Sequence, residues 1–139
     1  MIYGIGTDII EIDRIEKACA DNSHFVKRYY TEREQELISR RGRRGGSCAA
    51  MNFAGKEAVA KSLKTGICRR VRLEQIEILR DDKGAPYVVL HGDTLQYAKN
   101  CGIDKIHISL SDTSVLAMAY AVAELRNEIS DFLREEEII

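Results

Sequence analysis

The sequence predicts an α+β domain in which a small, mostly antiparallel sheet packs around one long helix. Three observations carry this. The chain opens on a β-branched, glycine-containing run, and two more strand-like runs stand at residues 105–111 and 115–123. An alanine-rich stretch at residues 48–63 holds strong helix formers along its whole length. At 139 residues, 45% hydrophobic and 31% charged, the composition suits a single packed domain over 1–139.

Residues 2–10 read as the first strand. Period-2 counting puts Ile2, Gly4, Gly6 and Asp8 on one face and Tyr3, Ile5, Thr7 and Ile9 on the other. The glycine face leaves room for a close backbone approach, and Asp8 ends that row. A short helix follows from Asp13, with Ile15, Ala18 and Cys19 inward and Arg14 and Lys17 on another side. Thr31 and Glu34 form a capping-box pattern for a helix running to about Arg41, which Gly42, Gly45 and Gly46 then end. The long helix at 48–63 stops at Thr65-Gly66.

Strands at 75–79 and 87–90 flank the turn Asp81-Asp82-Lys83-Gly84, and a third helix at 94–100 is closed by Gly102. Residues 105–111 alternate polar and apolar, whereas 115–123 are apolar on both faces, so both must be covered. Leu125, Ile129, Phe132 and Leu133 recur at helical spacing and predict an amphipathic C-terminal helix over 124–139.

The longest apolar run is nine residues, less than half of the roughly 20 that span a bilayer, so no membrane segment is expected. Asp8, Glu11 and Asp13 arrive too early for a secretory signal. The four cysteines lie 29, 20 and 33 residues apart with no C-x-x-C pair, which argues against structural zinc and for reduced thiols in a cytoplasmic protein.

A net charge of -1 conceals an asymmetry. Residues 27–72 hold thirteen Lys/Arg against four Asp/Glu, while the other 93 residues hold eight against eighteen. So basic a segment points to an anionic partner or to a solvated face. Nucleic acid is disfavoured: Arg40-Arg41-Gly42-Arg43-Arg44 has no interleaved aromatic to stack a base, and tryptophan is absent.

Phe53, Glu57, Lys61 and Lys64 share one face of the long helix. A carboxylate followed by two ammonium groups suits a metal-bound phosphate, with Asp8 as a second carboxylate for Mg²⁺. The competing reading is an ordinary i, i+4 Glu-Lys pair, with Asp8 capping the next helix. Spacing alone leaves both open.

The segments GTDIIEIDRI (6–15) and FAGKEAVAKSLKTG (53–66) resemble the paired signature of the holo-acyl-carrier-protein synthases, the small bacterial-type 4'-phosphopantetheinyl transferases. Phe25-x-x-Arg28-x-x-Thr31-x-x-Glu34, Gly84-x-Pro86 with Leu90-x-Gly92, and His107-Ile108-Ser109-Leu110-Ser111 agree in order and spacing. The likeness covers roughly residues 1–123.

It implies that the 4'-phosphopantetheine of coenzyme A (CoA) passes to a serine of apo-acyl carrier protein, leaving adenosine 3',5'-bisphosphate, as in fatty acid biosynthesis. The family's Mg²⁺ ligands fall on Asp8 and Glu57, and its diphosphate-facing lysine on Lys61. CoA binding would further draw on Lys64, Gly66, Ser109 and Asp112. Docking of the acidic carrier falls on Arg14, with Arg28 as companion. The resemblance also implies a homotrimer with sites between subunits, for which the apolar run at 115–123 offers a surface. Neither spacing nor resemblance assigns a base for the carrier serine.

The chain departs from the family pattern in three places. Lys64 stands where a glycine is usual, Asp112 stands where a histidine is usual, and the tail beyond 124 is extra. Asp112 could support the site, point away from it, or act as the base. It also motivates a competing reading, a fold that binds CoA without catalysis.

Overall fold

The structure is a computed structural model that describes residues 1–127. Strand β1 (Ile2–Glu11) leads into helices α1 (Ile12–Asp21), α2 (Ser23–Tyr29) and α3 (Glu32–Arg40), then the long α4 (Gly45–Ser62). A hairpin of β2 (Ile76–Arg80) and β3 (Pro86–Leu90) follows, then α5 (Gly92–Asn100), β4 (Ile103–Asp112) and β5 (Leu116–Leu125). Strands β1, β5 and β4 make one antiparallel sheet in that order, and β2 and β3 make a second.

The inner face of the larger sheet explains the place of α4. Ala117, Ala119, Ala121 and Ala123 alternate inward along β5 and are buried, forming a smooth floor. On β1 the inward row is Gly4 and Gly6, where an added Cβ would lie 2.2 Å from the Ser62 carbonyl oxygen and 1.9 Å from that of Ala58. What the glycine row admits is therefore the backbone of α4 itself. The helix is enclosed in turn, with Ala50, Ala54, Ala58, Val59 and Ala60 fully buried against the sheet and the hairpin.

Several sequence expectations need correction. Gly45 and Gly46 do not end the preceding helix: a 3₁₀ turn at Gly42–Arg44 runs straight into α4, which begins at Gly45 rather than residue 48. Gly45 serves contact instead, since a Cβ there would lie 2.9 Å from the Ile38 carbonyl oxygen. Helix α2 was not foreseen in the pattern. Its start is fixed by the Asn22 side chain accepting the His24 N–H, and Phe25 and Tyr29 then join Phe53 in an aromatic cluster. Glu124 and Leu125 belong to β5, paired with β1 and β4, and not to a helix. The rest of the expected C-terminal helix, from residue 128, lies outside the described residues.

The capping box of Thr31 and Glu34 is present, but Glu34 also does something the pattern did not signal. Its carboxylate is fully buried and receives the Lys56 ammonium at 2.6 Å and the Asn52 amide at 2.9 Å. Lys56 spends its two other donors on the carbonyls of Leu73 and Ile76. Burial pushes the Glu34 carboxyl up and the Lys56 ammonium down, while their mutual charge opposes both shifts. This knot ties α3, α4 and the β2 hairpin together.

Candidate active site

Asp8 and Glu57 reach one place because β1 and α4 run side by side. The glycine row lets the helix settle on the strand, and Asp8 projects from the end of that row beside the last turns of α4. Lys61, one turn beyond Glu57, donates to Asp8 Oδ1 at 3.2 Å and to the Thr7 carbonyl at 2.9 Å. Asp8 does not cap the following helix, whose N-cap is Glu11 without a side-chain bond.

Burial pushes the Glu57 carboxyl up, and the Asp8 carboxylate pushes it the same way while Lys61 opposes. A half-enclosed carboxyl at Glu57 with a second carboxylate, Asp8, raising its charging cost suits a hard divalent cation, which would relieve that repulsion through oxygen donors. Among the described residues no group of three or more His, Cys, Asp or Glu side chains comes together for a metal. An ion held by Asp8 and Glu57 would therefore complete its shell from water and substrate oxygens, as Mg²⁺ usually does.

The other residues named from sequence are dispersed. Lys64 follows α4 at φ +68°, with its ammonium 4.4 Å from the centre of the Tyr3 ring. Gly66, at φ +63°, donates its N–H back to the Ala60 carbonyl and closes the helix. Ser109 lies opposite Tyr120 on the outer face of the sheet, away from Glu57. Asp112 accepts from Ser47 in the first turn of α4, about 15 Å along the helix from Glu57, in a groove it shares with Arg43 and Arg44. Arg14 is exposed on α1 beside Ile9, Ile10 and Leu116. Arg28 is exposed with its guanidinium 5.3 Å from the Tyr29 ring centre. One chain thus unites Asp8, Glu57 and Lys61 but not Ser109 or Asp112 with them.

Sequence reasoning missed the core role of Lys56. The signal was available: Ala49, Asn52, Lys56, Val59 and Leu63 recur at i, i+3 and i+4, and every one is buried.

The sequence profile described as the 4'-phosphopantetheinyl transferase superfamily matches residues 4–123. The chain belongs to that superfamily. Within it the relatives are synthases of one kind. The holo-[acyl-carrier-protein] synthase of Lachnoclostridium phytofermentans is 44% identical over 128 residues, covering 92% of this chain and all of that one. The crystal structure of the Neisseria meningitidis holo-[acyl-carrier-protein] synthase superposes with a TM-score of 0.82 at 34% identity, covering 89% of this chain and 99% of the other. That of the Bacillus anthracis synthase, in complex with CoA (3',5'-ADP), gives 0.76 at 35% identity, with 91% and 99% covered.

Proposed function

We propose that this chain is a holo-acyl-carrier-protein synthase that moves the 4'-phosphopantetheine of CoA onto a serine of apo-acyl carrier protein and releases adenosine 3',5'-bisphosphate. The observation that carries the reading is the meeting of Asp8, Glu57 and Lys61 on the seam between β1 and α4, in a chain of this superfamily. The reaction displaces a phosphate ester at the β-phosphorus of the CoA diphosphate, where positioning and charge neutralisation supply most of the rate.

Lys61, pinned by Asp8 and the Thr7 carbonyl, points its ammonium where it would meet the diphosphate and stabilise the departing bisphosphate. Asp8 and Glu57 would hold Mg²⁺, which when bound neutralises diphosphate charge and polarises the phosphoryl group. Glu57, half enclosed, has the Lys61 ammonium as the positive charge that favours its ionised form. Lys64, Gly66, Ser109 and Asp112 complete the CoA site, the last two from a neighbouring subunit. Arg14 and Arg28 receive the acidic carrier, and exposed charges of this kind steer encounter.

We further read the functional unit as a cytoplasmic homotrimer. Support comes from the outer face of the β1–β5–β4 sheet. Its aligned rows leave Ile5 57%, Ile9 61%, Met118 43% and Tyr120 40% exposed, an apolar patch of the kind that marks an interface.

The test is transfer itself: CoA, Mg²⁺ and apo-carrier are incubated with the chain and the carrier's mass gain is followed. Asp8→Ala and Glu57→Ala should retain the fold and lose transfer nearly completely, and Glu57→Gln should fail as well because it loses the charge. Chelation of the metal should stop the reaction and re-addition restore it. Most of the activity surviving in either alanine variant at saturating Mg²⁺ overturns the assignment.

A further inference from the structure

Among the described residues, Lys64 is the single non-glycine residue in the left-handed region, at φ +68°. Side chains of L-residues rarely accept that conformation, and helices usually meet it with glycine at this first position beyond the cap. A cation at the C-terminal end of α4 does not require it, since Lys61 already provides one in ordinary helical geometry. Strain kept at one backbone position beside a site points to a role for the side chain it carries.

That side chain has a defined seat. Its ammonium stands over the Tyr3 ring at 4.4 Å, and its stem lies along β1, with Cε 3.5 Å from where a Gly4 Cβ would be. The ring is itself held at its far end, where the Tyr3 hydroxyl donates to Cys101 Sγ at 3.7 Å. Lys64 forms no ion pair among the described residues, whereas Lys61, in the last turn of α4, has Asp8. The seam therefore ends in a surplus positive charge that is oriented by an aromatic face and left without an anion.

We infer that Tyr3 and Lys64 form an anion grip: the Tyr3 ring holds the Lys64 ammonium at the C-terminal end of the β1–α4 seam, where it binds a phosphate of the adenosine bisphosphate portion of the substrate. The inference rests on the proposed transferase reading and adds to it a positioning residue, Tyr3, and a reason for the backbone strain. Lys64 contacts the phosphate, and Tyr3 acts through Lys64.

Titration calorimetry with adenosine 3',5'-bisphosphate on the intact chain tests this without the carrier or turnover. Lys64→Met should weaken binding about two- to fivefold, the range of an exposed cation contact, and Lys64→Arg should restore it. Tyr3→Phe, which keeps the ring, should bind like the parent. Tyr3→Leu should weaken binding as Lys64→Met does, and the double variant should be no weaker than Lys64→Met alone. Lys64→Gly should raise the melting temperature while it lowers affinity. In steady state the CoA KM should rise with kcat unchanged.

Equal affinity of the parent and Lys64→Met overturns the grip and leaves the transferase reading standing. Independent losses that multiply in the double variant remove Tyr3 from it. A parent chain that neither binds the bisphosphate nor modifies a carrier overturns the transferase reading, and the grip with it. If Tyr3→Leu fails to fold, Lys64→Met and Lys64→Arg still decide.

Discussion

Lys56 and Lys61 sit five residues apart on one helix, and each faces a carboxylate, yet they belong to different physical regimes. Lys56 and Glu34 are both wholly removed from solvent, while the Lys61 side chain is half exposed beside Asp8. Removing one member of a buried pair leaves an uncompensated charge, so Lys56→Met should cost about 3–5 kcal/mol of unfolding free energy. Replacing Glu34 by Gln at the same time should recover much of that loss. Lys61→Met should cost no more than about 1 kcal/mol, the worth of an exposed ion pair, while impairing transfer. Urea denaturation beside the transfer assay separates the two. Equal stability losses at the two positions would contradict the division into a structural and a functional lysine.

At the scale of elements, the site is a product of how closely one helix can approach one strand. The contact at Gly6 is between backbones: an added Cβ would stand 1.9 Å from the Ala58 carbonyl oxygen and 2.8 Å from the Ser62 nitrogen, and neither can step aside as a flexible side chain would. Gly6→Ala should therefore cost about 3 kcal/mol or more, at the upper end of overpacking. Any folded fraction should transfer poorly, because the widened seam carries Asp8 away from Glu57 and Lys61. Gly66→Ala provides the contrast. Nothing lies within 4 Å of its Cβ position, so only its φ of +63° resists, at about 1–2 kcal/mol. Thermal unfolding of both variants checks the order, and a Gly6→Ala protein as stable as Gly66→Ala would mean the seam is looser than described.

For the molecule as a whole, the outer sheet face raises the question of what covers it. Cross-strand register aligns Ile5 with Val122, Thr7 with Tyr120 and Ser109, and Ile9 with Met118 and Ser111, giving an apolar surface edged by hydroxyls. Inward positions carry alanine on β5, Gly4 and Gly6 on β1, and Ile106, Ile108 and Leu110 on β4, whereas Ile5, Ile9, Met118 and Tyr120 pack into neither core cluster. A charge placed there should spare the fold and prevent assembly. If the proposed trimer with sites between subunits holds, Met118→Glu is expected to lower the mass seen by light scattering from three chains to one and to remove transfer, since one chain alone keeps Ser109 and Asp112 apart from Asp8 and Glu57. A parent chain that runs as a monomer with full activity would refute the trimer.

The sequence by itself determined the family and most of the elements, α2 and the start of α4 excepted. Local propensity and periodicity announced the strands, the capping box at Thr31 and the long alanine-rich helix, because these depend on neighbours a few residues away. The face shared by Glu57 and Lys61 was legible for the same reason, whereas Lys64, expected on that face, lies past the end of α4. Tertiary structure decided what lay across the chain. It showed that the guest of the glycine row is α4, that Asp8 meets Lys61 and not the next helix, and that Lys56 pays for its burial through Glu34, twenty-two residues away. Gly45 and Gly46 misled for a physical reason: glycine permits both a stop and a close approach, and only the packing of Ile38 against Gly45 selects between them. The left-handed backbone of Lys64 was equally hidden, since a lysine carries no local signal for a conformation that the end of α4 and the Tyr3 ring impose together.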